Sequence, residues 1–373
     1  MTGVVSRDPG HDIVVIGASA GGIRALTALI AKLQVPLPAA LFVVQHIAPD
    51  RPSVLPNILN DVGDLLAFHP KDGERISHGR IYVAPPDHHL LLTRGRVRVL
   101  RGPQENRFRP SIDALFRSAA RAYGPRVIGV VLTGSLTDGT VGMQAIRKRG
   151  GITIVQEPAE AEYPSMPRTA LRYVDIDHRV PLAGIAPLLA RLVAEAAPSE
   201  AAYPVPPDVE FESRIAEQRM DTSELLASVE RIGTRTVYTC PECNGSMWLI
   251  GDDEPLRLRC HVGHAFTDDV FLALQTQNLE NALWSAVRMM EEKVTMTRRR
   301  AAQSLAQRVP AEAQALTEYA HGLDEEIAAI RHVIEHGFAV RRSVTDDNLE
   351  MNRAPYRPAS TRTGTVPGGS VNG

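Results

Sequence analysis

The stretch Asp12-Ile13-Val14-Val15-Ile16-Gly17-Ala18-Ser19-Ala20-Gly21-Gly22 decides the fold class of this chain. Its apolar run, Ile13 to Ile16, has the unbroken hydrophobicity of a strand buried on both faces of a parallel sheet. The run ends in Gly17-Ala18-Ser19-Ala20-Gly21, which fits the G-x-S-x-G pattern of a nucleophile elbow. A helical segment, Ile23 to Leu33, follows directly. Strand, tight turn and helix in that order put Ser19 at a strand end with its hydroxyl exposed. Beside it lie the free N–H groups and positive dipole end of a helix N-terminus. On the motif alone two other readings stay open. As a degraded G-x-G-x-x-G the run would bind a dinucleotide. But Ser19 stands where a glycine lets the pyrophosphate approach, and the next strand ends in Gln45-His46 rather than near an acid for the ribose. As a plain glycine turn it carries no chemistry.

Outward from this stretch, apolar runs alternate with helical patterns from 12 to 195, the signature of a parallel α/β sheet. Leu41 to Val44 is a second buried strand, Pro52 to Asn60 a short helix, and Val127 to Leu132 and Ile152 to Gln156 are further strands. Ile81 to Ala84, Leu90 to Thr93 and Val97 to Leu100 read as an antiparallel excursion added to the sheet. Ser111 to Tyr123 is an amphipathic helix with Ser111 as its cap, and Gly184 to Glu195 closes the domain. Three polar residues now share one address. Ser19 follows the first strand, His46 the second, and Asp138 sits in the loop Thr133-Gly134-Ser135-Leu136-Thr137-Asp138-Gly139 after a later one. Ligands of open parallel sheets gather outside the carboxyl ends of the strands, so the three can converge. Hydroxyl, imidazole and carboxylate are the parts of a nucleophilic triad. Taken singly, each also has a plain reading as a turn or surface residue.

The whole chain sets the bounds. Its 373 residues suffice for two domains, or one with appendages. A net charge of −2 gives no global footprint for nucleic acid. No apolar run approaches membrane-spanning length, and residues 1–11 lack a signal-peptide pattern, so a cytoplasmic protein is expected. The three cysteines, Cys240, Cys243 and Cys260, lie in one short stretch, which points to a local site and not a disulfide framework.

Residues 12–195 resemble the catalytic domain of the chemotaxis protein-glutamate methylesterase (CheB-type) family. The resemblance rests on Ile16 to Gly22, Val44-Gln45-His46, Tyr82 to His89, Arg109-Pro110-Ser111-Ile112-Asp113, Leu132-Thr133-Gly134 through Asp138-Gly139, and Ser165-Met166-Pro167-Arg168. It implies hydrolysis of γ-glutamyl methyl esters on chemoreceptor signalling helices, and deamidation of certain receptor glutamines, with no cofactor for catalysis. Ser19 would be the nucleophile, His46 the general base and then acid, and Asp138 the orienting carboxylate. The backbone N–H groups of Ala20 and Ser135 would form the oxyanion hole. It implies as partner a methylated chemoreceptor-type helical protein, with membrane association through receptors only and no nucleic acid. Two departures stand out. Leu136 replaces a glycine of the family's loop, which bears on substrate fit at that rim. The family's N-terminal phospho-receiver domain has no room in the eleven residues before the first strand, so regulation by phosphorylation in cis is not expected. A partner response regulator, a partner methyltransferase, or the C-terminal module folded over the active face would take its place.

Residues 196–208 are rich in Pro and Ala and read as a semi-rigid extended spacer. Residues 209–270 hold a helix, Glu210 to Ile232, and a zinc-ribbon-like module. In it Cys240-Pro-Glu-Cys243 and Cys260-His261-Val262-Gly263-His264 are two ligand knuckles around a hairpin-length insert. Cys240, Cys243, Cys260 and His264 are the expected ligands of a structural zinc, with His261 as the less comfortable alternative to His264. Leu279, Leu283, Val287, Met290 and Val294, then Leu316, Tyr319, Leu323, Ile327, Ile330 and Ile334, form two apolar stripes around Val309-Pro310. They predict an antiparallel helical hairpin over 271–338. The polar tail, 339–373, is expected to be disordered. The competing functional reading is a non-catalytic sensory or scaffold protein that works through this module and hairpin.

Overall fold

The computed structural model describes residues 10–218, 220–251 and 253–337; the tail expected at 339–373 lies outside them. In chain order the first part consists of β1 (Ile13–Ala18), α1 (Gly22–Ile30), β2 (Ala40–Gln45), α2 (Leu55–Val62), β3 (Leu66–Phe68) and β4 (Arg80–Val83). After these come β5 (His89–Thr93), β6 (Arg96–Leu100), α3 (Ile112–Tyr123), β7 (Val127–Val131), α4 (Thr140–Lys148), β8 (Ile152–Gln156), α5 (Ser165–Tyr173), β9 (His178–Val180) and α6 (Leu182–Leu192). The main sheet runs β3-β4-β2-β1-β7-β8-β9, and every neighbouring pair is parallel. β1 is buried along its whole length because both faces are covered. Val14 and Ile16 pack with Leu26 and Leu29 of α1, Leu59 of α2 and Leu189 of α6. Ile13 and Val15 pack with Leu115 and Phe116 of α3, Met143 of α4 and Ala170 of α5. The sheet is doubly wound. Each fully buried aliphatic side chain contributes on the order of 2 kcal/mol, so this core holds the strand ends rigidly.

Two expectations about the first part need correction. β4 is a parallel member of the main sheet, paired with β2. β5 and β6 pair with each other, as a two-stranded sheet separate from the main one. Leu90 and Leu92 belong to the apolar cluster of α3, so the hairpin buries one face on a helix instead of extending the sheet. The short helix begins at Leu55, three residues after Pro52.

The second part continues with α7 (Pro207–Ala216), α8 (Thr222–Ile232), β10 (Gly233–Thr239), β11 (Ser246–Ile250), β12 (Arg257–Cys260), β13 (Ala265–Thr267), α9 (Asp268–Ala306) and α10 (Pro310–His332). Strands β10 to β13 form an antiparallel meander. The expected single helix over Glu210 to Ile232 is two, because Asp221 caps a new one through its bond from the Glu224 N–H at 2.8 Å. Nor is 196–208 a free spacer. Glu200 pairs with Arg94 and, at 3.0 Å, with Arg149, and the Tyr203 ring lies against Gly150. Pro and Ala content described the segment's stiffness, but the partners that pin it come from distant sequence.

α9 and α10 pair through Val287, Val294, Leu323 and Ile327, joined by Ile334 just past the end of α10. Leu279 and Tyr319 of the expected stripes are exposed, and Ala313 and Ala320 take seam positions on α10 instead. Arg298 pairs with Asp324 across the hairpin.

Candidate active site

The chain reaches the main sheet's centre at β1, builds outward to β2 and β4 on one side, and returns to β7 on the other. That is a topological switch point, and the loops after β1, β2 and β7 open onto it. Ser19, His46 and Asp138 sit on those three loops. The Ser19 Oγ lies 3.0 Å from His46 Nδ1, and His46 Nε2 lies 2.8 Å from Asp138 Oδ2. The bonds fix the tautomer: Nε2–H donates to the carboxylate, and the Nδ1 lone pair accepts from the hydroxyl. The two ring nitrogens have exchanged the roles they hold in the Ser-His-Asp template of serine proteases. The role at the hydroxyl is kept, because the proton on Nε2 leaves Nδ1 as the unprotonated nitrogen that can act as base.

Local chemistry explains each placement. Gly21 caps α1 at φ 72°, a left-handed angle that a side chain resists, so the chain turns sharply after Ser19. Gly134 allows the Asp138 loop to approach the nucleophile, since a Cβ there would stand 2.8 Å from Ser19 Cβ. Gln45 ties the first two loops together, donating from Nε2 to the carbonyls of Ser19 at 2.8 Å and His46 at 3.0 Å.

Asp138 is fully buried, and a buried carboxylate must be paid for with hydrogen bonds. It receives them at the N-terminus of α3. The Ile112 N–H donates to Oδ2 at 2.7 Å, and the Asp113 N–H and Ser111 hydroxyl donate to Oδ1 at 3.2 and 2.9 Å. Asn106 Nδ2 adds a longer bond to Oδ1 at 3.3 Å. Burial pushes the Asp138 carboxyl up. The bond and charge of His46, with the Ile112 and Ser111 donors, outweigh it and hold the group down to about 2. Asp113, buried beside it, goes the other way: burial and then the Asp138 charge raise it well above the usual carboxylate range. One carboxylate of the pair keeps its charge for the histidine.

Of the expected oxyanion donors, Ala20 follows Ser19 directly, and Ser135 follows Gly134, which lies against Ser19. The bonds that pin these turns use the N–H groups of Ser19, Gly22, Gly134 and Met166. Among the described residues, no bond uses the N–H of Ala20 or Ser135.

Several site residues escaped the motif analysis. Ser111 was legible as a helix cap, and it does accept from the Ala114 N–H, but its hydroxyl also serves Asp138. Asn106 bridges Asp138 and Asp113, at 3.3 and 2.9 Å. Phe108 stacks on the His46 ring with centroids 3.5 Å apart and planes 9° off parallel. Ser111 lies within the Arg109 to Asp113 motif; for Asn106 and Phe108 the one available signal was their position just before it.

Far along the chain, Cys240, Cys243, Cys260 and His264 bring their ligand atoms within 4.8 Å of one another. His264 Nδ1 stands 3.7 Å from Cys240 Sγ and 3.6 Å from Cys260 Sγ, and Cys243 Sγ stands 3.7 Å from Cys260 Sγ. A tetrahedron with metal–sulfur bonds of ~2.3 Å has edges of about 3.7 Å, so the cluster has the size of a zinc site. His264 Nε2 lies 3.2 Å from Glu242, the carboxylate support that metal-bound imidazoles commonly carry. The His261 ring instead packs over Gly245. Four protein ligands would complete a tetrahedron and leave no position open, the donor set of a closed site.

Residues 14–189 match the family model described as CheB methylesterase. A protein of Leptospira interrogans with the provisional name protein-glutamate methylesterase/protein-glutamine glutaminase is 36% identical over 183 residues, which are 49% of this chain and 95% of that protein. A protein-glutamate methylesterase/protein-glutamine glutaminase of Anaeromyxobacter dehalogenans is 39% identical over 188 residues, 49% of this chain and 52% of that one. The crystal structure of the Thermotoga maritima CheB methylesterase catalytic domain is 32% identical, covers 48% of this chain and 98% of its own, and superposes with a TM-score of 0.47.

Proposed function

This chain belongs to the CheB methylesterase family, and from that premise we propose that it is a protein-glutamate methylesterase, with protein-glutamine deamidation as its second activity. The observation that carries the reading is the unbroken hydrogen-bonded line from Ser19 Oγ through His46 to Asp138. The Ser19 oxygen attacks the γ-carbonyl carbon of a glutamyl methyl ester while His46 Nδ1 takes its proton. The carbonyl oxygen becomes an oxyanion facing the N–H groups of Ala20 and Ser135, and Asp138 stabilises the imidazolium. On collapse the C–O bond to the methyl group's oxygen breaks, His46 returns the proton, and methanol leaves. Water, deprotonated by His46, then cleaves the acyl-serine and frees the glutamate. A glutamine side chain follows the same route with ammonia as leaving group. The substrate is a methylated chemoreceptor-type helix, by analogy with the names of the relatives. Those names support the enzyme over the scaffold reading.

The site of action is cytoplasmic. Among the described residues no helix is long and apolar enough to cross a membrane. The thiols of the second cluster also suit a reducing compartment.

The test is methanol release from methylated chemoreceptor membranes. Ser19→Ala should lower it about 1000-fold or more; equal release by wild type and variant would overturn the assignment.

We assign a structural zinc to Cys240, Cys243, Cys260 and His264. It would crosslink the turns after β10 and β12 and supply no catalytic chemistry. Elemental analysis should find one zinc per chain and none in Cys243→Ser, whose ribbon should melt at lower temperature.

A further inference from the structure

We infer that the zinc-ribbon module is a working part of the esterase centre: it grips the turn 104–108, through which Asn106 and Phe108 position Asp138 and His46. This rests on the methylesterase reading of that centre.

The contacts form a short path. Strand β13 runs beside the turn, with Glu105 bridged to Ala265. The Asn106 N–H donates to the Ala265 carbonyl at 2.8 Å, and the Thr267 N–H donates to Asn106 Oδ1 at 3.0 Å. With its oxygen held by the ribbon, the Asn106 amide must aim Nδ2 the opposite way. There it meets the carboxylates of Asp138 and Asp113. The ribbon thereby sets the orientation of an amide that touches the triad. Phe108, on the same turn, packs on the apolar cluster of the ribbon and presents its face to His46. Asn106 and Arg107 have φ of 51° and 72°, a left-handed pair that costs roughly 1 kcal/mol or more per residue and needs surroundings that enforce it.

Electrostatics anchor the same turn. Glu105 is buried and accepts from Arg117 of α3 at 2.6 Å and from Arg259 of β12 at 3.4 Å. Arg259 also pairs with Glu212 of α7 at 2.9 Å. A buried carboxylate shared by two arginines from two modules fixes how they meet, because sliding either one strands a charge.

The second loop of the centre is gripped as well. Leu136 has φ 69°, a strained angle for a branched side chain, and is 9% exposed. Its side chain belongs to the cluster of Met247, Leu258, Phe266, Phe271 and Leu274. Next to it, the Thr137 and Thr267 hydroxyls are 2.7 Å apart. Burial of a leucine offsets the backbone strain. The departure of this loop from its family's glycine is thus an anchor for the ribbon, one residue from an oxyanion donor and two from the triad acid.

Asn106 and Phe108 are positioning residues: they act through Asp138 and His46. The test uses the full chain and two readouts: pH titration of the His46 ring by nitrogen-15 NMR, and the rate at which a fluorophosphonate labels Ser19. Asn106→Ala, Phe108→Leu and zinc removal by chelation should each shift the His46 titration and slow labelling about 10- to 100-fold, the effect of a small misplacement. Leu136→Gly should act in the same direction more weakly. If zinc leaves and melting drops while the His46 titration and labelling stay at wild-type values, the ribbon is only docked and the inference fails. The same holds if Asn106→Ala leaves the titration unchanged. A wild type that does not label at Ser19 would break the esterase reading instead, and the His46 titrations would still decide between gripping and docking.

Discussion

The triad and the metal cluster solve the same problem, holding a few polar side chains at fixed distances, by opposite means. In the triad, 27 residues separate Ser19 from His46 and 92 separate His46 from Asp138. Nothing local brings them together. They meet because three buried parallel strands lie side by side and deliver their loops to one end. In the cluster, 24 residues separate Cys240 from His264, and two hairpin turns do the placing. The first turn is closed by bonds from the Asn244 N–H to the Cys240 carbonyl and from the Cys240 N–H to the Gly245 carbonyl, both at 2.8 Å. The second is closed by the Gly263 N–H to the Cys260 carbonyl at 2.9 Å. The triad draws its rigidity from a large core, so a single substitution there costs chemistry and leaves the fold. The cluster has a small core and, on the zinc assignment, would draw its rigidity from the metal, so loss of the metal should cost fold. Between them lies a third kind of order, the charged contact of Glu105, Arg117, Arg259 and Glu212, which belongs to neither module alone.

Three experiments sharpen the contrast. The largest effect is expected from Asp138→Asn, which would leave the helix N-terminus capped but spoil the His46 tautomer. Esterase turnover should fall by about 10,000-fold, while the melting temperature falls by only a few degrees. A large loss of stability instead would mean that the carboxylate serves the fold more than the chemistry.

Next comes the contact between the modules. The charges of Arg117 and Arg259 hold the buried Glu105 carboxyl below its usual range against the upward push of burial. Glu105→Gln strands a buried guanidinium and should cost about 3–5 kcal/mol in denaturant unfolding. A loss below about 1 kcal/mol would show that water replaces the carboxylate and that the modules are held apolarly.

The smallest effect is a pH dependence. Asp138 titrates at about 2 in the folded chain, against ~3.9 for an unfolded aspartate. Its folded value is the lower one, so its contribution, about 3 kcal/mol, is fully present above the unfolded value and is lost as pH falls through 2. Asp113, raised in the fold, has the opposite sign: it costs stability once the pH exceeds its unfolded value, and acid removes the cost. The difference in unfolding free energy between wild type and Asp138→Asn should therefore shrink between pH 5 and 2. A difference independent of pH would place the Asp138 charge outside the linkage.

Much of this protein was legible before any coordinates. The apolar run of β1, with G-x-S-x-G at its end, pointed to a parallel sheet with a serine at the strand's end, because a strand buried on both faces has no room for polar residues. The cysteine spacing pointed to a local cluster of Cys240, Cys243 and Cys260 with a neighbouring histidine, because ligand knuckles are local structures; the fold put His264 in it and His261 over Gly245. Histidine and aspartate at strand ends were candidates that only strand order could bring together; β2 and β7 flank β1, and no periodicity in the chain states that. Tertiary structure alone decided the rest. It sent β5 and β6 onto α3 and not onto the sheet, pinned 196–208 through Glu200 and Tyr203, and turned Leu136 from an irregular loop residue into an anchor. The physical reason is the same in each case. Periodicity and spacing encode interactions between near neighbours in sequence. Asn106 finds Thr267 161 residues away, and a contact of that kind is decided by which surfaces two folded modules present to each other.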